Sequence, residues 1–223
     1  MSDLSRFQHP RFARMYERIS AESERRGMAG YRDRALAGLS GRVIEVGAGN
    51  GMNFTHYPAA VTEVVAVEPE DRLRILAEQA AAGAPVPVQV VAGHADDLPF
   101  GDAGFDAAVA SLVLCSVPEP GRSLAELHRV IKLGGELRFF EHVRSASALI
   151  GIFQDLVTPV WSRAGGGCRL NRDTAAGIAA AGFQIERLDR FSYRPLQVVP
   201  AHAHILGTAR KPLSVGRPGA GSG

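Results

Sequence analysis

Residues 43–53 read VIEVGAGNGMN, an apolar run that passes into glycine at every second position. Near-continuous apolar strands belong to parallel sheets covered on both faces. A glycine-rich turn at the end of such a strand lets the backbone approach a ligand with no Cβ in the way. A dinucleotide turn needs G-x-G-x-x-G, whose last glycine permits close helix–strand packing, and here Met52 stands in its place. The run is instead E-x-G-x-G-x-G, built on Glu45, Gly47, Gly49 and Gly51, with Ala48 and Asn53 in the same turn. An acid at Glu45 repels a pyrophosphate but can meet an ammonium group. The loop, with the N-terminus of the helix expected to follow it, favours an anion such as a carboxylate. Ammonium and carboxylate on one carbon make an amino acid head group.

Outward from this loop, strand signals fall at 42–47, 63–68, 86–92, 105–111 and 136–141. Helical stretches fall at 71–82 and 121–131, the latter stopped by Gly134–Gly135. Strands separated by helices imply a parallel, doubly wound α/β sheet. After a helix at 173–181, two strand signals (183–192 and 204–211) follow with no helix between them, so they pair antiparallel. The expected architecture is a Rossmann-like seven-stranded sheet with helices on both faces and an antiparallel C-terminal hairpin.

The second strand ends VVAVEPE, placing Glu68 about 20 residues past the glycine loop, the spacing at which a carboxylate accepts ribose hydroxyls; Pro69 follows it. Amino acid, ribose and a base together describe S-adenosylmethionine. The third strand leads into VVAGHADDLPFGDAGFD, whose His94, Ala95 and Asp96 fall where a base would lie, with Asp96 or backbone groups meeting its amine.

The formal net charge of +2 over 223 residues gives no argument for nucleic acid, and 46% hydrophobic with 22% charged residues fits a globular domain. Cys115 and Cys168 form no CxxC pair, so no metal is expected, and two cysteines suit a reducing cytoplasm. No segment has the apolar length of a signal peptide or a membrane span. Residues 1–40 read as a helical cap with arginines around an apolar face of Phe12, Met15, Tyr16 and Ile19. Residues 41–211 form the ligand-binding domain, and 212–223 a glycine- and proline-rich tail expected to be disordered.

These residues together resemble the class I S-adenosylmethionine-dependent methyltransferases over about residues 40–210. The closer likeness is to a small-molecule group holding bacterial ubiquinone-biosynthesis-like enzymes and the animal thiol S-methyltransferases called methyltransferase-like protein 7. It rests on SLVLCSV (111–117), LGGELRFFEHV (133–143), GGCRLNRDT (166–174) and HILG (204–207). The animal members carry an N-terminal membrane anchor, which is not seen here. The resemblance implies methyl transfer to a small molecule, with a thiol as one acceptor and an oxygen or nitrogen nucleophile as the alternative.

Methyl transfer from a sulfonium is an in-line displacement in which the protein aligns the nucleophile and excludes water. The acceptor belongs outside the carboxyl ends of strands four and five, near Ser111, Leu112, Cys115, Glu141 and His142. His142 is the candidate general base, its ordinary pKa of about 6.5 suiting proton removal near neutrality. Tyr16 and His204 are expected at the acceptor, with His204 also readable as a packing residue. The apolar stretch 145–167, including Phe153, Leu156, Val160 and Trp161, is expected to form a lid that favours an apolar acceptor. A nicotinamide dehydrogenase is disfavoured by Met52, and a nucleic-acid base methyltransferase by SLVLCS in place of an N/D-P-P-Y/F clamp. A non-catalytic binding module is the remaining reading, and the oligomeric state is not legible.

Overall fold

A computed structural model describes residues 3–194 and 201–213, so the expected tail lies outside the described residues from position 214. The strands are β1 (Gly41–Val46), β2 (Val61–Glu68), β3 (Val88–Ala92), β4 (Phe105–Ser111), β5 (Ile131–His142), β6 (Gln184–Tyr193) and β7 (His202–Arg210). They form one sheet in the order β3-β2-β1-β4-β5-β7-β6. β1 to β5 pair in parallel, while β7 runs antiparallel to both β5 and β6. The sheet is therefore the seven-stranded, doubly wound one expected, closed by a C-terminal hairpin.

Helices α1 (Pro10–Ser23), α2 (Ala29–Leu36), α3 (Asp71–Ala81), α4 (Pro120–Val130), α5 (Ala148–Ala164) and α6 (Thr174–Ala180) surround it. Alternation along the strands sorts the core into two layers. Ile44, Val46, Val65, Val67 and Phe139 pack with Leu124 and Leu127 of α4 and Ile178 of α6. On the other face Val43, Val64, Ala66 and Val109 pack with Leu36 of α2 and Ala77 of α3. Caps fix two helix starts: Glu70 accepts from the Leu73 N–H and Asp173 from the Ala176 N–H.

Two expectations fail locally. The glycine turn is not followed by a helix: between β1 and β2 the chain makes only a single 3₁₀ turn, Phe54–His56. Gly47, Gly49 and Gly51 all take positive φ (64, 59 and 79°), and buried Phe54 occupies the space against the sheet. A helix N-terminus therefore contributes nothing to anion binding at this loop. The second failure is at α4, which stops at Val130 with β5 beginning at once. Phe105 pairs with Ile131 and Ala107 with Glu136, so residues 132–135 loop out, with Gly134 at φ 75°.

Residues 145–167 do form a helical insertion, α5, but its polarity is reversed. Gln154 and Thr158 face inward and are buried, while Leu149, Phe153, Leu156 and Val160 are 81, 55, 73 and 70% exposed. The Gln154 amide explains the orientation: Oε1 accepts from the Ser145 N–H at 2.7 Å, and Nε2 donates to the carbonyls of Val143 and Leu170 at 3.1 and 3.0 Å. Among the described residues, no helix is long and apolar enough to cross a membrane.

Replacing Gln154 with Ala leaves three buried backbone groups without partners. Each such loss costs about 1 kcal/mol or more, so Gln154→Ala is expected to lower stability by roughly 3 kcal/mol in urea denaturation. A midpoint equal to wild type would mean that other contacts set the direction of α5.

Candidate active site

The chain leaves β1 toward β2 on one side and β4 toward β5 on the other, so the loops after β1 and β4 part at the carboxyl ends of adjacent strands. Ligands bind at such a switch point in open α/β sheets. A cavity of about 390 Å³ opens there, within the size range of small-molecule sites.

Its floor is the glycine loop. A Cβ at Gly47 would run into Val113, and one at Gly51 would lie 2.8 Å from Ala80 and Phe54. Gly49 sits beneath Tyr16 of α1, and its N–H donates to Glu68 Oε2 at 2.7 Å. The other Glu68 oxygen accepts from the Glu70 N–H at 2.9 Å, and the residue is buried yet lines the cavity. Burial pushes the Glu68 carboxyl up to about 7. Pro69, His94, Ala95, Asp96, Ser111 and Leu112 share the wall, and Leu112 takes a left-handed φ of 58° there. Such strain in a non-glycine residue is characteristic of functional loops. Buried His94 stacks on Phe7, with centroids 4.7 Å apart, and its Nδ1 has no partner among the described residues. Asp96 accepts from Ser123 Oγ at 2.5 Å and faces Arg6 at 3.4 Å.

Of the residues expected to hold the cofactor, four lie off this wall. Gly51 and Ala48 support the turn from behind. Glu45 is buried, its two oxygens accepting from Asn53 Nδ2 at 2.8 Å and the Tyr57 hydroxyl at 2.7 Å. Asn53 in turn accepts from Arg32 at 2.7 Å, and Arg32 pairs with Glu24 at 2.6 Å. Glu45, so enclosed, stands behind the loop and off the cavity wall. Burial pushes its carboxyl up to about 7 as well.

The acceptor side departs further from expectation. Glu141 is buried beneath the post-β4 loop, accepting from the N–H groups of Val113, Leu114 and Cys115 at 3.1, 2.8 and 3.1 Å. His142 and Cys115 are not on the wall: His142 Nδ1 lies 3.6 Å from Cys115 Sγ and 3.7 Å from Cys168 Sγ. His204 packs among Phe140, Phe191 and Tyr193, and burial drives its imidazole down to about 2, so the ring is neutral. Trp161 packs beside His202, 5.4 Å between centroids. Tyr16 does line the cavity, over the glycine loop. The reversed α5 turns Phe153, Leu156 and Val160 to solvent, while Ser162, Arg163, Gly166 and Gly167 of the same insertion line the cavity.

Residues not anticipated take their places. Arg163, Arg169 and Arg172 line the cavity with Ser116 and Ser162. Arg172 donates to the carbonyls of Leu114 and Val117, tying the segment after α5 to the post-β4 loop. Arg6, Phe7, His9 and Phe12 close the side above His94 and Gly49. Arg172 was within reach of the sequence, in the GC-x-x-x-R stretch. Arg32, Arg6 and Phe7 carry no local signal, because the partners that place them at the site, Asn53, Asp96 and His94, lie 21 to 90 residues away.

Residues 44–139 match a family model described as a methyltransferase domain. The chain is 34% identical over 184 residues to thiol S-methyltransferase TMT1B of Homo sapiens, covering 80% of this chain and 75% of that one. It is 38% identical over 96 residues to a demethylmenaquinone methyltransferase of Thermobifida fusca, 43% of this chain and 41% of that one. In fold it is similar to the crystal structure of a SAM-dependent methyltransferase from Thermotoga maritima. That match has a TM-score of 0.64 and 24% identity, covering 89% of this chain and 99% of that one.

The raised Glu68 carboxyl makes a stability prediction. A group whose folded pKa lies near 7 against 4.5 unfolded binds more protons when folded, so its contribution falls as pH rises from about 4.5 to 7. Glu68→Gln removes this titration. The stability difference between wild type and variant is expected to shift against wild type by about 3 kcal/mol across that window, read from denaturation at successive pH values. A pH-independent difference would mean that the carboxyl ionises normally in the folded chain.

Proposed function

We propose the acceptor and the residue roles from one premise: the chain belongs to the S-adenosylmethionine-dependent methyltransferase family that includes the thiol S-methyltransferases. S-adenosylmethionine is its cofactor, and supplies a methyl group on a positively charged sulfur. In our reading Glu68 accepts the ribose hydroxyls, Gly47 and Gly49 leave room for the methionine backbone, and Ser111 and Leu112 border it. His94, whose unpartnered Nδ1 is buried beside the cavity, meets the adenine with Ala95 and Asp96. Residues 1–40 act as a cap over a methyltransferase domain spanning 41–211, with Phe12 and Tyr16 excluding water.

The acceptor we assign is a small, largely apolar thiol. One observation carries this: the wall built by the last turn of α5 and the segments after β4 and α5 holds Arg163, Arg169 and Arg172, while the cavity's carboxylates and imidazoles (Glu68, Glu70, Asp96, His9 and His94) come from other segments. An alcohol needs a positioned base to lose its proton. A thiol, of ordinary pKa about 8.5, already ionises in part near neutrality, and neighbouring guanidinium groups favour the thiolate. His142, the base expected from the sequence, is absent from that wall. The named activity of the human relative supports the same choice.

Glu68→Ala removes the acceptor of two charge-assisted hydrogen bonds and is expected to weaken S-adenosylhomocysteine binding by roughly tenfold or more in titration calorimetry. Unchanged affinity would remove Glu68 from the ribose.

A methyl-transfer screen with mass detection tests the acceptor. Alkyl and aryl thiols are expected to be methylated, with kcat/KM rising with pH through the thiol pKa, and matched phenols and amines to turn over at least about a hundredfold more slowly. Turnover of the phenol or amine with no reaction of the matched thiol would overturn this assignment.

A further inference from the structure

One cluster of reactive side chains plays no part in the cavity described above. Cys115 from the post-β4 loop, His142 from the end of β5 and Cys168 from the loop after α5 meet behind the cavity wall. Cys115 Sγ and Cys168 Sγ are 3.7 Å apart, and His142 Nδ1 lies 3.6 and 3.7 Å from the two sulfurs. We propose that these three side chains form a zinc(II) site with three protein donors and a fourth position open to water.

The triangle has the dimensions of a tetrahedral face. Zinc held at about 2.3 Å by sulfur and about 2.0–2.1 Å by nitrogen sets the S···S edge near 3.8 Å and the S···N edges near 3.6 Å. All three observed edges agree to within about 0.1 Å. Simple packing accounts for one contact of this length; three closing into a nearly equilateral triangle of soft donors make a metal-binding face.

Charge balance favours the same ion. Binding releases one proton from each thiol to solvent, and His142 coordinates through Nδ1 with its ring proton on Nε2. No redox change is involved. Two thiolates neutralise the dication, so no net charge is placed in a buried site. The cysteines are already held by neighbours: the Cys115 N–H donates to Glu141 at 3.1 Å, the Cys115 carbonyl accepts from the Arg169 N–H at 2.8 Å, and the Cys168 N–H donates to the Gly165 carbonyl at 3.1 Å. Ser116, whose hydroxyl lies 3.5 Å from Cys115 Sγ, and Gly167 line the cavity and offer the ion an entry. The ion would tie together the two loops that make the acceptor wall. This inference rests on the three side chains and is independent of the identity of the acceptor.

The full-length protein, expressed with zinc in the medium and passed over a chelating resin, is expected to retain about one zinc per chain by plasma mass spectrometry. Both thiols should titrate as free in denaturant with chelator and no reductant. Cys115→Ser and Cys168→Ser should each fall below about a tenth of an equivalent, with circular dichroism to check folding. Should a variant not fold, cobalt(II) loaded into the wild-type protein supplies the test, through a thiolate-to-cobalt charge-transfer band and tetrahedral visible bands. Zinc below a tenth of an equivalent with no such bands, zinc retained by a folded cysteine variant, or a Cys115–Cys168 disulfide in protein purified without reductant would each overturn the proposal.

Discussion

The acceptor side of this enzyme depends on one buried carboxylate. Where the chain turns out of β4 at Leu112, the amides of Val113, Leu114 and Cys115 have no strand to pair with, and a buried N–H without an acceptor is costly. Glu141, at the end of the neighbouring strand, accepts from all three. Leu112 sustains its left-handed φ of 58° because its own N–H is held by the Phe140 carbonyl at 2.6 Å. Remove the carboxylate and these three amides lose their acceptor, leaving the loop that carries Ser116, Val117 and Cys115 held from its carbonyl side, by Arg172 and the Arg169 N–H. Glu68 acts on the glycine loop in the same manner, and Glu45 on the turn after it. The site is thus framed by acids at the ends of β1, β2 and β5, two of them holding backbone amides and Glu45 holding side chains.

The fold was legible because its signals are local and repeated. Apolar runs such as VVAVE and FDAAVAS, alternating with helical stretches, state both the strands and their parallel arrangement. The floor of the cavity was legible for a related reason: Glu68 and the glycines stand at the ends of those strands and are placed by spacing alone. Glu45 shows the limit of that reasoning. Its position on β1 is plain from the sequence, but Tyr57 and Asn53, which take up its oxygens, are recruited only when the helix expected after the loop shrinks to one turn. The cluster behind the cavity wall was not legible, because its residues come from three separate segments. Cys115, His142 and Cys168 lie 26 to 53 positions apart, and no spacing pattern joins them.

Helix α5 shows how hydropathy can indicate an element and misplace its face. A stretch holding Leu149, Ile150, Ile152, Phe153, Leu156 and Val160 invites burial of those residues. Yet burial on this protein is decided by Gln154, because the carbonyls of Val143 and Leu170 and the amide of Ser145 all need partners at the place where the helix docks. Exposing an apolar side chain forgoes a hydrophobic gain, whereas leaving three backbone groups unpaired in the interior incurs a desolvation cost for each. The helix accordingly turns its polar stripe inward. The N-terminal cap behaves oppositely: Phe12 and Tyr16 of α1 are apolar enough to pack and do so, over the cavity.

The same comparison of costs separates the three buried acids by function. All are pushed toward the neutral form by burial, so each gains from any donor that reaches it. Tyr57 and Asn53 already occupy Glu45, and three amides occupy Glu141, both away from the cavity. Glu68 alone of the three lines the cavity while accepting only one amide on each oxygen. A carboxylate oxygen can take a further donor, so Glu68 is the acid whose desolvation a ligand can relieve. A sugar hydroxyl arriving there replaces water the carboxylate lost on folding, and its hydrogen bond is strengthened by the charge and the low-dielectric surroundings. Burying this acid therefore costs stability in the free protein and would strengthen its hydrogen bond to the ribose proposed above, which is the exchange expected where a strand end is built to bind and not merely to support.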